Sequence, residues 1–449
     1  MGSIVFLDEV YEMKVKPRNL LKNSIAKRNI EEEIINITDE IAENNREEID
    51  KIKTGVIKQT VLEAKIIDLI DKKQLVYEGL TRNGIIKIIL DQIFGYYILQ
   101  KYIEDPAVND IMVNSYDNIW IRKGLTDIKV SERFRDEDTY QKFLIKICAF
   151  IGEKINGSSP QADGTDKRFN LRISITQSPI NTYSPSLIIR KSHRNVTDEE
   201  VFSDEIYPEE LLQSLDFMQK AGSRVIFSGP LESGKTTALN KYLNKIKNER
   251  IVIMEDTPEM IIDNENCIYK RTVLDKNNQA VRVTLADLVR DFKRTNGTMP
   301  VVSEVRGIES VELLDVFNAG FKQGATSIHA NSDKDVIRQL VFQIKASGKL
   351  GTDRAEIEEY ISRTLDHIIY MEKRKIVCIS EVGYDYEKRE ITLSPLHEFE
   401  IESETKDEII GHFNTCINPY SPKMVDRIRR AGLKNEIPNN MLPVKQKED

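Results

Sequence analysis

The chain has 449 residues, of which 40% are hydrophobic, and its formal net charge is -8 at pH 7. This length predicts about two or three domains with ordinary hydrophobic cores, and the acidic balance disfavours indiscriminate binding of nucleic acid. The four cysteines are too widely spaced for a zinc site or a disulfide framework. Because no stretch reaches the ~18 uninterrupted apolar residues of a membrane span, we expect a cytoplasmic protein.

The first part of the chain, residues 1–80, has a helical pattern amid many charged side chains. Apolar residues recur at helical spacing in two stripes, Ile30, Ile34, Ile37 and Ile41, then Val61, Ile66, Ile67 and Ile70. These stripes predict a separate helical segment that forms a small bundle or a solvated arm. A coiled-coil surface for a partner is the alternative.

A second region, residues 81–192, mixes helical and strand patterns and ends in two strand-like runs at residues 171–175 and 187–190. We expect it to form a small α+β domain. The polar residues 193–204 are typical of a linker. Beyond them, Pro208 and the acidic residues that follow it predict the start of a helix.

The sequence GPLESGKT at residues 229–236 fits the pattern G-x-x-x-x-G-K-[ST] at every fixed position. It lies between a strand-like apolar run and a helix-patterned segment. In such a loop the backbone N–H groups face phosphates, the lysine adds a point charge, and the threonine hydroxyl can ligate Mg²⁺. The loop therefore predicts a site for ATP and Mg²⁺. The residues expected to contact the nucleotide are Gly229, Ser233, Gly234, Lys235, Thr236 and Thr237.

Strand and helix patterns keep alternating after this loop. The predicted elements are strands at residues 251–254, 300–302 and 325–329 and helices at residues 285–292 and 311–317. This alternation predicts an α/β fold with a mostly parallel sheet and helices on both faces. We expect residues 205–449 to form a P-loop domain with a RecA-like sheet and a C-terminal extension.

Three polar side chains follow strands of this predicted sheet at their carboxyl ends, where ligands bind in such folds. We expect Glu255 to activate the attacking water, and Glu304 to support Mg²⁺ together with Thr236. His329 can hydrogen-bond a γ-phosphate and so report its presence.

Four motifs in this order resemble those of the ATPases of type II and type IV secretion and type IV pilus systems. They are the loop at residues 229–236, an "Asp box" at 253–259, a Walker B segment at 303–307 and a "His box" at 324–331. The chain is most similar to the CpaF-like motors of tight-adherence (Tad/Flp) pili. Where that family usually has glycine, Ser303 adds only a small side chain.

The resemblance implies a homo-hexameric ring that hydrolyses ATP to power pilus assembly or protein secretion. An inner-membrane platform protein would then hold the motor at the inner face of the cytoplasmic membrane, since no span is predicted. The resemblance also implies that arginines of the preceding domain reach the phosphates, and Arg190 and Arg168 match those positions.

Other classes of function remain open at this stage. A conjugation-type DNA-transfer ATPase or nucleic-acid translocase is the main alternative, although the acidic charge disfavours nucleic acid as a partner. A GTPase is disfavoured because no guanine-reading N-K-x-D motif follows the loop. A scaffold that binds nucleotide without hydrolysing it is disfavoured by the presence of Lys235, Glu255 and Glu304.

Overall fold

A computed structural model of the chain describes residues 33–34, 36–38, 40–53, 56–74, 80–124, 126–191, 201–274, 281–405 and 408–443. These residues form two units, the first ending at residue 191 and the second beginning at residue 201. Ile30 and most of the predicted linker at 193–204 lie outside the described residues, so the linker stays a prediction.

The N-terminal part of the first unit is helical. Its helices are α1 (Arg46–Lys53), α2 (Thr60–Lys73) and α3 (Arg82–Phe94). One cluster of buried side chains joins Leu62, Ile66 and Ile70 of α2 to three isoleucines of α3, each set at intervals of four residues. Val61 and Ile67, which the sequence pattern placed in the apolar stripe, are instead 42% and 37% exposed. The helical core thus extends past residue 80 into α3.

The rest of the first unit is a six-stranded antiparallel sheet with the order β3-β2-β1-β6-β5-β4. Its elements are α4 (Gln100–Glu104), β1 (Val108–Ser115), β2 (Asn118–Lys123), β3 (Thr126–Lys129), α5 (Glu137–Ile151), β4 (Gln161–Asp166), β5 (Leu171–Thr176) and β6 (Ser186–Lys191). Alternate residues of β5 and β6 are buried against α5 in one core, while Arg172 and Arg190 lie on the opposite face. The two strands predicted in this region are confirmed.

The second unit contains a nine-stranded sheet with the order β17-β16-β15-β14-β7-β13-β12-β8-β9. The strands are β7 (Arg224–Gly229), β8 (Ile251–Glu255), β9 (Cys267–Arg271), the separate pair β10 (Val273–Leu274) and β11 (Val281–Val283), β12 (Met299–Val302), β13 (Gly324–His329), β14 (His367–Glu372), β15 (Lys375–Asp385), β16 (Glu390–Glu404) and β17 (Ile409–Thr415). The run from β14 to β9 is parallel, and β15 to β17 extend it by antiparallel pairing.

Helices cover both faces of this sheet. They are α6 (Glu209–Lys220), α7 (Lys235–Asn244), α8 (Leu285–Asp291), α9 (Ile308–Asn318), α10 (Asp333–Ser347), α11 (Arg354–Thr364) and α12 (Pro422–Arg430). The first two and α12 share a core with Val225 and Phe227, whereas α8 to α11 share a second core with Ile226. Strand β7 is therefore buried on both faces, as its continuous apolar run requires. The predicted α/β class is confirmed.

Strand β12 contains a proline although it lies inside the sheet. Pro300 is in register with Val252 of β8, but the ladder to β13 begins only at Val301. Pro300 is the second residue of the strand and precedes the ladder to β13, a position near a strand's beginning where proline is tolerated.

No helix in the part of the chain that the structure describes is both long and apolar enough to cross a bilayer.

A buried ion cluster ties the sheet to its C-terminal helix at the end remote from the phosphate loop. Asp366 accepts hydrogen bonds from Arg224 at 2.8 Å and from Lys423 and Arg427 at 2.7 Å each. Burial alone would raise the pKa of Asp366, but the Arg224 guanidinium and the two α12 cations hold it well below its usual range. The carboxylate thus joins β7, β14 and α12.

We predict that Asp366→Ala lowers the free energy of unfolding by about 3–5 kcal/mol, because it leaves the buried Arg224 without its counter-charge. The exposed pair of Asp426 and Arg430 provides a control, and Asp426→Ala should cost less than about 1 kcal/mol. Urea unfolding followed by circular dichroism measures both changes. Equal effects of the two substitutions would contradict this account.

Candidate active site

The phosphate-loop motif forms the turn between β7 and α7. Strand β7 ends at Gly229, and α7 begins at Lys235 with Gly234 as its N-cap. A Cβ atom at Gly229 would lie 2.2 Å from the carbonyl oxygen of Met371, so only glycine fits there. Helix α7 therefore starts directly after a tightly packed loop, and the N–H groups of its first turn have no partners within the helix. This arrangement binds phosphate.

Lys235 is buried within its own loop. Its Nζ donates hydrogen bonds to the carbonyl oxygens of Gly229 at 2.9 Å and Pro230 at 2.6 Å, and it lies 3.2 Å from Nδ1 of His329. Burial lowers the pKa of Lys235 to about 8, although the Glu304 carboxylate opposes this shift. The lysine is thus a partly desolvated cation for which an anion would be a favourable partner.

Glu304 and His329 meet beside this lysine at the carboxyl ends of β12 and β13. Oε2 of Glu304 accepts a hydrogen bond from Arg306 at 2.7 Å. Oε1 lies 2.9 Å from Nε2 of His329, a distance that makes an ion pair only when the ring is protonated, and no aligned donor reaches Oε1 from the described residues. Burial would raise the pKa of Glu304, but the hydrogen bond from Arg306 and the nearby positive charges lower it overall. Glu304 is therefore ionised, with one oxygen available.

Burial and the charge of Lys235 both lower the pKa of His329, which keeps the ring neutral at pH 7. A neutral ring that accepts from Lys235 at Nδ1 carries its proton on Nε2, which lies near Oε1 of Glu304 but is not aligned to donate a hydrogen bond to it. The structure thus brings together Lys235, Glu304 and His329, which the sequence separates by up to 94 positions.

Glu255 has a different environment from Glu304. It is buried at the end of β8, and its Oε1 accepts hydrogen bonds from the backbone N–H groups of Glu259 at 3.0 Å and Met260 at 2.9 Å. Burial raises the pKa of Glu255 to about 7, and the two hydrogen bonds only partly offset this effect. A carboxyl group with this pKa exchanges its proton near neutral pH, as a general base must.

The other predicted loop residues also lie at this site. Thr236 and Thr237 are half-buried in the first turn of α7. The hydroxyl of Ser233 is buried and has no hydrogen-bond partner among the described residues, while its carbonyl oxygen accepts from the N–H of Arg374 at 3.1 Å. The turn that contains Arg374 was not identified from the sequence, which carries no motif there.

The two predicted arginines belong to the first unit and have different surroundings. Arg190 lies on the outer face of β6, where its Nε donates to Asp110 at 2.8 Å. Arg168 lies in the turn after β4, paired with Asp166 at 2.6 Å and stacked 3.7 Å from the ring centre of Phe150.

Cross-strand pairing adds a further arginine to the outer face of this sheet. Arg172 of β5 is directly opposite Arg190 of β6. The alternating pattern of residues 171–175 could have indicated this, because it places position 172 opposite the buried side chains.

The raised pKa of Glu255 predicts a pH-dependent effect of Glu255→Gln. The folded state keeps the proton up to about pH 7, whereas a carboxyl of ordinary pKa, 4.5, loses it earlier, so the wild type loses stability between these values. Glutamine has no such transition. We expect the stability of Glu255→Gln relative to wild type to increase by up to about 3 kcal/mol from pH 4.5 to pH 8.

Urea unfolding at pH 5 and pH 8 measures this difference. Glu265→Gln, at an exposed position before β9, is the matched control and should behave like the wild type at both pH values. A relative stability of Glu255→Gln that is independent of pH would contradict the assignment.

Comparison with known proteins places these features in a family. The profile described as "Type II/IV secretion system protein" matches residues 95–371, a stretch that contains all four motifs. A putative conjugal transfer protein of Mycobacterium tuberculosis is 25% identical over 296 residues, which are 64% of this chain and 82% of that protein. The type IV secretion system protein VirB11 of Brucella suis is 22% identical over 275 residues, 55% of this chain and 75% of that protein.

Two solved structures show more distant likeness. The crystal structure of the VirB11 ATPase from Brucella suis with sulphate covers 69% of this chain and 94% of its own, with 20% identity and a TM-score of 0.30. That of the pilus retraction motor PilT with bound ADP covers 76% and 87%, with 17% identity and a TM-score of 0.45. Likenesses of this size support no functional conclusion by themselves. The matched profile, which spans more than half of the chain, shows that this protein belongs to the type II/IV secretion system ATPase family.

Proposed function

We propose that this protein is an Mg²⁺-dependent ATPase that works as a homo-hexameric motor for pilus assembly or protein secretion. The observation that carries the proposal is the convergence of Lys235, Glu304 and His329 on the phosphate loop of a chain in this family. The four-motif resemblance supports a CpaF-like, tight-adherence role. It also supports a position at the inner face of the cytoplasmic membrane, held by a platform protein.

The residues present fit ATP and Mg²⁺. Gly229 leaves room for a loop that a Cβ atom would obstruct, and two buried oxygens, Oγ of Ser233 and Oε1 of Glu304, have no hydrogen-bond donor among the described residues. Thr236 and Glu304 would hold the metal ion, directly or through water. When bound, Mg²⁺ neutralises charge on the phosphates and so favours hydrolysis.

The chain's own groups would perform complementary tasks. Lys235 exchanges the loop carbonyls for phosphate oxygens, which are better partners for a buried cation. His329 lies between Lys235 and Glu304. A change in the contacts of either residue would therefore alter the contact that the His329 imidazole makes with the other. Glu255, with a pKa of about 7, accepts the proton of the attacking water.

Positive charge for the transition state is proposed to come from the first unit, through Arg190 and Arg168. In a ring of six subunits, neighbouring chains would hold these arginines within reach of the loop. This arrangement would make hydrolysis depend on assembly.

The conjugation-type alternative is favoured by one finding, the names of relatives described as conjugal transfer proteins. A DNA-transfer ATPase would show hydrolysis that DNA stimulates and that salt suppresses steeply. A rate unaffected by DNA supports pilin or protein as the cargo.

We predict that Lys235→Ala lowers ATP hydrolysis by about 100-fold and also weakens nucleotide binding, because the loop loses its cation.

Glu304→Gln should lower hydrolysis by a similar factor and leave ATP binding largely intact, since it keeps the shape of the side chain and removes its charge. A phosphate-release assay and binding of a fluorescent, non-hydrolysable ATP analogue separate the two effects. The exposed Lys247, beyond α7, supplies a control in Lys247→Ala. Normal turnover in Lys235→Ala would show that the loop is not the active site.

Assembly should control activity if the ring proposal is right. We expect hydrolysis per subunit to rise steeply with protein concentration, in parallel with ring formation measured by light scattering. Arg190→Ala should lower the rate of the assembled protein by about 1000-fold. Arg135→Ala, which removes an exposed arginine paired with its neighbour Asp136, should not. A fully active monomer would rule out the ring mechanism.

A further inference from the structure

The turn between β14 and β15 has an unusual backbone next to the phosphate loop. Glu372 pairs with Lys375, so Lys373 and Arg374 form a two-residue hairpin turn. Their φ angles are +44° and +66°, the left-handed values of a type I′ turn. Such turns normally contain asparagine and glycine, because longer side chains disfavour this conformation. A strained turn of this kind is typical of a ligand-contacting segment.

The turn contacts the loop through backbone atoms on both sides of the motif. The N–H of Arg374 donates to the carbonyl oxygen of Ser233 at 3.1 Å. The carbonyl oxygen of Met371 faces Gly229, and a Cβ atom at Gly234 would lie 3.4 Å from Cα of Arg374 and 3.6 Å from its Cβ and Cγ. The turn therefore packs against both glycines of the motif, Gly229 and Gly234.

The two cations of the turn have different partners. Lys373 is held by Glu404 at 2.5 Å and by the carbonyl oxygen of Thr405. Arg374 is exposed, its stem lies beside Gly234, and no side-chain hydrogen bond or ion pair holds its guanidinium within the described chain. A charged guanidinium beside a loop that binds phosphate is a ready partner for a phosphate oxygen.

We propose that Arg374 contacts the phosphates of the bound nucleotide from within the same subunit. This inference rests on the proposed function and adds a cation that the first unit does not supply. It gives the second unit its own arginine for binding the product as well as the substrate. The strained turn has a role in this arrangement, since its backbone fixes the arginine stem against Gly234.

The experiment is binding of a fluorescent ADP analogue with Mg²⁺ to the full chain. Arg374→Ala and Arg374→Gly should each raise the Kd about tenfold, the loss expected for one charged hydrogen bond. Arg374→Gly keeps the backbone N–H that bonds to Ser233 and suits the left-handed conformation, so it should fold at least as well as the wild type. Binding of the ADP analogue by both Arg374 variants should also depend less on salt concentration than binding by the wild type.

A matched control exists at the opposite end of β15. Arg389 has a φ of +55° in the exposed turn before β16, separated from Arg374 by the whole length of β15. Arg389→Ala should leave the Kd unchanged.

Normal binding by Arg374→Gly would overturn the inference, because it would assign the role to the backbone alone. If wild type and Lys235→Ala both fail to bind, the proposed function falls, and this inference falls with it. Binding that Lys235→Ala loses and both Arg374 variants keep overturns the inference only.

Discussion

The burial of a lysine inside its own loop is the constraint on which this site depends. Lys235 is only 6% exposed, and the loop offers its ammonium two carbonyl oxygens. The carbonyl oxygen of Met371 leaves room only for glycine at position 229. His329 and Glu304 then complete the surroundings of the cation. Each of these groups is held at the end of a parallel strand, and the sheet thereby sets their distances from one another.

The sheet gives this constraint its rigidity. Strand β7 lies between β13 and β14 and is buried on both faces, so the loop that follows it starts from a fixed position. At the other end of β7, Arg224 is locked to Asp366 and through it to α12. Among the described residues of this unit, the two buried cations thus lie at the two ends of one strand: Arg224 at its beginning, paired with a carboxylate, and Lys235 in the loop that follows it.

Much of this architecture could be predicted from local sequence. The loop, the strands after it and the residues at their ends follow from short patterns, because parallel strands with flanking helices leave a strong local signal. The roles assigned to the site residues all remain predictions, those of Lys235, Glu304 and His329 as much as those of Glu255, Arg168 and Arg190.

Features that depend on pairing between distant segments could not be predicted in this way. The position of Arg172 opposite Arg190 requires the register of two strands, and the contact of Arg374 with Ser233 requires knowing that β14 lies next to β7. The exposure of Val61 and Ile67 similarly reflects which face of α2 meets α3. Periodicity alone showed an apolar helix but did not show which of its neighbouring apolar residues face the partner helix.

The position of Pro300 bears on the register of β12 within the sheet. Pro300 cannot donate a hydrogen bond, and the ladder between β12 and β13 begins one residue later, at Val301. A slip of β12 by one residue would place the proline where a donor is needed, and it would also turn every side chain of the strand to the other face. Glu304, two residues beyond the strand, would then point away from Lys235 and His329. The observed register is therefore the one that suits both the proline and the placement of Glu304 beside Lys235 and His329.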